Sequence, residues 1–159
     1  MGPILVAEKN SKLVRVDFME RFNQKVSTSP TEGFIQEKTQ FLSATQKQLE
    51  EYFQGKRTDF DIPYHQEGTA FQKQAWEALL KISYGDVWSY SKQASWMGKP
   101  NAIRAVGQAN GKNSLTIIVP CHRVTGMNGS LTGYGSGLDR KQHLLELEDR
   151  FNPVQKRLF

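Results

Sequence analysis

The chain has 159 residues, of which 38% are hydrophobic and 23% are charged, and its formal net charge is +5. This length suits one ordinary domain or two small ones, and no apolar run approaches the roughly 20 residues that a membrane span needs. With no signal-peptide pattern and a single cysteine, the sequence predicts a soluble, cytoplasmic protein without an intramolecular disulfide or a cysteine-based zinc site.

The first part of the chain, residues 1–65, is predicted to form a small α/β domain. Residues 4–18 contain two β-rich runs around a polar turn, which is typical of a hairpin, and residues 34–41 are a candidate strand. A helix is predicted to begin at Ser43, which would be its N-cap in a capping box with Gln46. A connector rich in turn-forming residues then leads out of this domain.

Residues 66–159 are predicted to form a mainly helical second domain, so the fold class is α+β. A helix capped by Thr69 comes first, with apolar residues at helical spacing. Two short helices follow, at about 89–97 and from an N-cap at Asn101 to about 110, and the turn between them predicts a helix-turn-helix. A last helix is predicted to begin at residue 138.

Net positive charge is confined to the second domain. Residues 1–65 hold nine basic and nine acidic residues, whereas residues 66–159 hold twelve and seven. No acidic residue lies between Asp86 and Asp139, but five basic ones do: Lys92, Lys99, Arg104, Lys112 and Arg123. This pattern suits a polyanionic partner, and it is also found on mildly basic solvated surfaces.

The segment around Cys121 carries the clearest chemical signal. An apolar, β-branched run over 115–120 is predicted to be a buried extended segment. It ends in proline, which restrains the backbone just before Cys121. His122 and Arg123 follow at once, and such neighbours favour the nucleophilic thiolate. Because adjacent side chains of an extended chain point to opposite faces, His122 would need a water or a local turn to act on the sulfur. The alternative for Cys121 is a small buried hydrophobic residue.

A histidine that acts as a base works better when a carboxylate orients it. The last predicted helix offers Glu146 and Glu148 for this purpose. The alternatives are a hydrogen-bonded core histidine and two glutamates on a solvated helix face.

The second helix of the predicted pair is rich in small residues. Gly107 costs about 1 kcal/mol of helix stability relative to alanine, and close approach to another surface would offset this cost. Arg104 and Gln108 are the long polar side chains on one face, which is a thin set for reading base edges. The pattern suits a DNA groove binder that does not select sequence, although tight packing within the protein is an alternative.

Residues 126–137 form a glycine-rich loop whose backbone amides could donate to a flat ligand such as a base. The loop lacks the lysine of a phosphate-binding loop, which argues against nucleoside triphosphate binding.

These motifs together resemble the O6-alkylguanine-DNA alkyltransferases. The resemblance rests on Pro120–Val124 (PCHRV), on 68–90 (GTAFQKQAWEALLKISYGDVWSY), on 101–113 (NAIRAVGQANGKN), on 128–138 (NGSLTGYGSGL) and on 144–148 (LLELE). It covers residues 58–150 closely and residues 1–57 more loosely. It implies a ribonuclease H-like first domain and a DNA-binding second domain.

The resemblance also implies roles for individual residues. Cys121 would accept the alkyl group, His122 would take its proton through a water, and Glu148 would hold His122. Tyr90 would protonate or polarise the leaving guanine, and Asn113 would tie the helix pair to the active-site segment. Arg104 would fill the gap left by a flipped nucleotide. The other implied DNA contacts are Ala102, Ala105, Gln108, Ser91, Lys92 and Arg123, and the implied pocket residues are Val124, Tyr134, Gly135 and Ser136.

The reaction implied is removal of an alkyl group from O6 of guanine, with O4 of thymine as a second candidate. The partner would be double-stranded DNA bound through the minor groove without sequence preference. No cofactor, metal or membrane is implied, and the zinc ligands of some relatives are missing. A monomer is expected, with cooperative binding along DNA left open. Since a thioether does not revert to a thiol, each molecule would act once.

One position departs from the family pattern. The family usually has Tyr-x-Gly-Gly in the loop, whereas this chain has Ser136 at the third position, which bears on the width of the pocket. Three other functions remain as alternatives: a non-catalytic lesion-binding relative, which would lack the cysteine; a cysteine hydrolase, which would turn over; and a helix-turn-helix regulator, which would bind a specific sequence.

Overall fold

The computed structural model describes residues 1–20 and 35–152, which form two compact units. The first unit comprises Met1–Gln66 together with Ser114–Ile118, and the second comprises Glu67–Asn113 and the chain from Val119 onward. The predicted second domain was continuous from residue 66, whereas the structure assigns the segment Ser114–Ile118 to the first unit. The predicted boundary at 65/66 otherwise stays a prediction.

A β-hairpin opens the first unit, as predicted. Strand β1 (Ile4–Lys9) pairs antiparallel with strand β2 (Lys12–Phe18), with Ile4 opposite Phe18. Asn10 and Ser11 form the turn with positive φ angles of 53° and 56°. This left-handed backbone matches the twist of the two strands, which is why short hairpins use it.

Two further segments pair with β2. The amide of Val16 donates to the carbonyl of Ser114 at 2.9 Å, and the amide of Thr116 donates back to Val16 at 2.9 Å. Leu13 forms a parallel bridge with Tyr64 in the same way. The backbone groups of Val16 are therefore satisfied by the segment that precedes Cys121 in sequence, and those of Leu13 by residues 63–65.

Helix α1 (Gln40–Phe53) completes the described part of the first unit, and its predicted start was wrong. Thr39, not Ser43, is the N-cap, because its hydroxyl accepts from the amide of Leu42. The hydroxyl of Ser43 instead donates back to the carbonyl of Thr39. The candidate strand at 34–41 is also wrong where it is described, since 35–39 are irregular and 40–41 are helical; residue 34 lies outside the described residues.

The second unit begins with helix α2 (Ala70–Leu79), whose predicted cap is confirmed. Thr69 accepts from the amide of Gln72, and the side chain of Gln72 accepts from the amide of Thr69. Strand β3 (Trp88–Ser89) then pairs in parallel with strand β4 (Val124–Thr125). Helix α5 (Leu138–Phe151) ends the described chain.

The predicted helix pair is present as α3 (Tyr90–Trp96) and α4 (Ile103–Gly111). The cap predicted at Asn101 is wrong, because the N-cap of α4 is Ala102, whose side chain cannot cap a helix. The amide of Ala102 donates to the carbonyl of Lys99. The turn between the helices includes Gly98 with a φ of 70°. Helices α2, α3 and α4 enclose a core of small and medium side chains: Ala75, Ala78, Ala94, Met97, Val106 and Ala109.

A buried amide pair joins the two helices. Nε2 of Gln93 in α3 donates to Oδ1 of Asn110 in α4 at 3.0 Å, and Nδ2 of Asn110 donates to Oε1 of Gln93 at 2.8 Å. Gln93 also donates to the carbonyl of Ala75 in α2. These reciprocal bonds fix the two helices to each other, because both side chains are buried and a broken bond would leave an amide unsatisfied.

Within the described residues, no helix is long and apolar enough to cross a bilayer.

Candidate active site

Cys121 is buried at the start of a short 3-10 turn, Cys121–Arg123. The amide of Cys121 donates to the carbonyl of Val119 at 2.9 Å, and the amide of Arg123 donates to that of Pro120 at 3.1 Å. The sequence predicted extended chain up to the cysteine and left a local turn open as one route to His122. The structure contains a turn at Cys121–Arg123, but the predicted extended chain is wrong at 117–118, which form another turn with a φ of 76° at Ile117.

Asn113, directly after α4, holds this turn in place. Its Nδ2 donates to the carbonyl of Val119 at 2.8 Å and lies 3.3 Å from Sγ of Cys121. Asn113 is almost fully buried. One side chain thus connects the end of the helix pair to both the backbone and the sulfur of the cysteine segment.

His122 and Glu148 form a buried pair. Nε2 of His122 lies 2.7 Å from Oε1 of Glu148, and both side chains are 1% exposed or less. Glu148 also accepts from the amide of Gly85 at 3.1 Å. Glu146, the other candidate, is exposed and accepts from Gln142. The helical spacing of α5 explains the difference, since Glu148 lies on the buried face with Leu144.

Arg123 was expected to contact DNA, and the structure contradicts this. Its guanidinium donates twice to Glu148, at 2.9 and 3.0 Å, and once to the carbonyl of Ile82 at 2.7 Å. Only 7% of the residue is exposed. A guanidinium so engaged is the structural counter-ion of the carboxylate, not a surface group that meets phosphate.

The protonation states of this group follow from its surroundings. Burial lowers the pKa of His122 below 6.5, despite the hydrogen bond to Glu148. Burial would raise the pKa of Glu148, but the hydrogen bonds and charges of His122 and Arg123 outweigh it and hold that pKa far below its ordinary range. At neutral pH the histidine is therefore neutral and the glutamate ionised. Nε2 must then carry the proton given to Glu148, and Nδ1 is the basic nitrogen.

Tyr90, the first residue of α3, belongs to the same group of ionisable side chains. Its hydroxyl lies 3.0 Å from the carbonyl of Thr132 and 3.1 Å from that of Gly133. Gly133 has a φ of 58°, and a Cβ there would lie 3.0 Å from the tyrosine oxygen. Burial, and then the charge of Cys121, raise the pKa of Tyr90, so the phenol stays protonated at neutral pH.

The predicted pocket residues differ in their exposure. Val124 is buried in β4, Tyr134 is half-buried and Gly135 is exposed. Ser136 is 3% exposed, and its carbonyl accepts from Arg140 at 2.9 Å. Its hydroxyl oxygen is buried without a hydrogen bond to any residue of 1–20 or 35–152.

The predicted DNA-contact residues other than Arg123 are at least partly accessible. Arg104, Ala105 and Gln108 are exposed on α4, and Ala102 at its start is half-buried. On α3, Ser91 is half-buried and Lys92 is exposed, with its ammonium 4.8 Å from the ring of Trp88. Gly107 faces Tyr90, because a Cβ there would lie 3.8 Å from the tyrosine ring. This is an ordinary van der Waals distance, so the packing of α4 against Tyr90 does not by itself require glycine at this position.

Lys141 is the residue that the sequence interpretation missed. It is fully buried on α5, and its ammonium donates to the carbonyl of Thr132 at 2.7 Å. The available signal was its spacing: residues 141, 144 and 148 fall on one helical face, so a lysine shares the buried side with Leu144 and Glu148.

Comparison with known proteins assigns both parts of the chain. Residues 1–65 match the 6-O-methylguanine DNA methyltransferase, ribonuclease-like domain, and residues 70–150 match the DNA binding domain of the same family. The chain belongs to the 6-O-methylguanine DNA methyltransferase family, which confirms the resemblance and the α+β fold class. It is a DNA-binding repair protein whose reaction transfers an alkyl group from DNA to a cysteine.

Individual relatives cover almost the whole chain. A methylated-DNA–protein-cysteine methyltransferase of Methanosarcina barkeri is 46% identical over 149 residues, which is 94% of this chain and 92% of that protein. The crystal structure of Mycobacterium tuberculosis O6-methylguanine methyltransferase aligns with a TM-score of 0.85 at 42% identity, covering 99% of this chain and 93% of that one. A structure of Mycobacterium tuberculosis OGT in complex with DNA aligns with a TM-score of 0.84 and the same coverage.

Proposed function

We propose that Cys121 attacks the alkyl carbon on O6 of a guanine in double-stranded DNA and keeps the alkyl group as a thioether. The bond from O6 to that carbon breaks, and guanine is restored. Because a thioether does not revert to a thiol, the sulfur is not regenerated and the protein is used once. The observation that carries this proposal is the buried arrangement of Cys121, Asn113, His122 and Glu148.

His122 is the proposed acceptor of the thiol proton. Its Nε2 is directed at Glu148, 2.7 Å away, so the opposite ring nitrogen is the one that can accept. A water between Nδ1 and the sulfur would carry the proton. Glu148 then stabilises the imidazolium, as a carboxylate does in other histidine relays.

Tyr90 is the proposed acid. Loss of the alkyl group leaves negative charge on the guanine ring, and a neutral phenol beside it can supply a proton. The raised pKa of Tyr90 keeps that proton available at neutral pH. Asn113 is proposed to position Cys121, since its amide contacts both the sulfur and the preceding backbone.

The DNA-facing surface is proposed to be the exposed side of α4 with the start of α3. Ala102, Ala105 and Gln108 would lie against the minor groove, and Ser91 and Lys92 would contact the backbone. Arg104 would occupy the space of a nucleotide flipped toward Cys121. With few long polar side chains, α4 supports binding without sequence preference.

The loop of residues 126–137 is proposed to hold the flipped base. Val124, Tyr134 and Gly135 would line the site, with backbone groups reading the guanine edges. Ser136 would narrow it, because its side chain is buried there. We further propose a cytoplasmic monomer.

The proposal is tested by mixing the protein with duplex that contains O6-methylguanine and measuring the mass of the Cys121 peptide. We expect one added methyl per molecule, with no further reaction when more duplex is supplied. Cys121→Ala should abolish transfer and retain DNA binding. Unmodified Cys121 after prolonged exposure under reducing conditions would refute the proposal, and repeated turnover would indicate a hydrolase instead.

A further inference from the structure

Among the residues that the structure describes, Lys141 is a buried cation without a carboxylate partner. The residue is 0% exposed, and within residues 1–20 and 35–152 no Asp or Glu lies within salt-bridge distance of its ammonium group. Its one hydrogen bond there is to the carbonyl of Thr132. A buried charge costs folding free energy unless an opposite charge compensates it, so a lone buried ammonium calls for a functional reason.

An ionised Cys121 would act on the Lys141 ammonium as an opposite charge. Burial lowers the pKa of Lys141 from 10.5 to about 8, and a negative charge on Cys121 acts in the opposite direction. Lys141 in turn helps to lower the pKa of His122. Glu148, two turns further along α5, is already bound by His122 and Arg123. Since no carboxylate of residues 1–20 or 35–152 pairs with Lys141, Cys121 is the group whose ionisation this cation would stabilise.

Lys141 and Tyr90 also share one acceptor. Both donate to the carbonyl oxygen of Thr132, at 2.7 Å from the ammonium and 3.0 Å from the hydroxyl. The ammonium lies 5.7 Å from the centre of the tyrosine ring. Because the two donors converge on one oxygen, the lysine fixes the carbonyl that orients the phenol.

We propose that Lys141 is a positioning residue for alkyl transfer, which holds the Cys121 thiolate by its charge and the Tyr90 hydroxyl through the carbonyl of Thr132. The inference rests on the roles proposed above for Cys121 and Tyr90. In the reaction the sulfur gains the alkyl carbon and loses its negative charge, while Tyr90 gives its proton to guanine and becomes an anion. The negative charge thus moves from sulfur to the tyrosine oxygen, and one cation serves both.

The test uses the full chain without DNA and measures alkylation of Cys121, the only cysteine, by iodoacetamide across the neutral pH range. The variants are Lys141→Met, which removes the charge, and Lys141→Arg, which keeps it. Lys73→Met, on the exposed side of α2, is the matched control for loss of one lysine. Circular dichroism verifies that each variant is folded.

We expect Lys141→Met to react about tenfold more slowly at neutral pH and to reach its full rate only at higher pH, since a neighbouring opposite charge shifts a titration by about one to three pH units. Lys141→Arg should keep most of the rate, and Lys73→Met should match the unmodified sequence. A folded Lys141→Met variant with an unchanged pH profile would overturn the inference.

A second measurement needs no variant and covers the case in which Lys141→Met does not fold. The ε-carbon of Lys141 is titrated by nuclear magnetic resonance before and after methyl methanethiosulfonate blocks Cys121. We expect its titration to move to lower pH once the thiolate is gone, and no movement would refute the coupling. Neither measurement involves DNA, so failure of methyl transfer from duplex would count against the proposed function and not against this inference.

Discussion

Nε2 of His122 lies 2.7 Å from Oε1 of Glu148, although 26 positions separate the two residues in the chain. The same carboxylate is bound by the guanidinium of Arg123 and the amide of Gly85. Four hydrogen bonds from three residues, which lie in two segments of the second unit, thus converge on one buried carboxylate. This junction fixes which nitrogen of His122 is basic, and several consequences can be measured.

Stability should fall in two stages as the pH is lowered. The folded-state pKa of His122 lies below 6.5, so below that pH the unfolded chain binds a proton that the folded protein does not. The pKa of Glu148 is also lowered from 4.5, so a second loss of stability follows as the pH falls below that value. Urea unfolding at a series of pH values measures both stages.

His122→Gln should remove the first stage, while the same substitution at His65, in the first unit, should leave it in place. An unfolding midpoint that does not change between about pH 7.5 and about pH 5.5 would contradict a neutral buried His122.

Glu148→Gln should destabilise the protein and slow alkyl transfer. The substitution leaves the buried guanidinium of Arg123 without its counter-charge, which costs about 3–5 kcal/mol in comparable buried pairs. Adding Arg123→Met should restore part of the free energy of unfolding, because the uncompensated charge is removed. Transfer should stay slow in the double variant, since His122 still lacks its carboxylate. Full recovery of the transfer rate would show that Glu148 serves stability alone.

Arg104→Ala should slow repair of duplex far more than reaction with free O6-methylguanine base. If the side chain fills the gap of a flipped nucleotide, its loss leaves a cost of unstacking of a few kcal/mol uncompensated, which corresponds to about tenfold to a hundredfold in rate. Single-turnover rates on the two substrates measure this ratio. Lys112→Ala, which removes another exposed cation, should lower both DNA affinity and its salt dependence without changing the ratio. Equal slowing on both substrates by Arg104→Ala would refute the flipping role.

The Gln93–Asn110 pair should show strong coupling in a double-mutant cycle. Gln93→Leu or Asn110→Leu alone leaves a buried amide unsatisfied, at a cost of about 1–3 kcal/mol each. Together the two substitutions replace both polar partners, so their combined cost should be smaller than the sum by about 0.5–3 kcal/mol. Thermal unfolding of the four proteins measures the coupling, and strict additivity would show that the two amides act independently.

Local patterns decided much of the secondary structure. The hairpin at residues 4–18 and the capping box at Thr69 follow from short-range chemistry that is written in adjacent residues. The helix start at Ser43 was wrong because Thr39, four residues earlier, caps the helix, and the start at Asn101 was wrong because α4 begins after Ala102 without a side-chain cap. A cap depends on which side chain can reach a free amide, and that is set by backbone geometry.

The sequence by itself determined the nucleophile, since Cys121 is the one cysteine of the chain and is followed by His122 and Arg123. It also determined the family, through several motifs that occur in the family's order. Only the tertiary structure decided that Glu148, and not Glu146, contacts His122. It also showed that Arg123 is a buried counter-ion of Glu148 instead of a DNA contact, and that Lys141 is buried and bound to the carbonyl of Thr132. The physical reason is that burial and distance decide what a charged side chain does. A lysine or arginine that is exposed is a solvated surface group, whereas one that is buried must have its charge compensated by neighbouring groups.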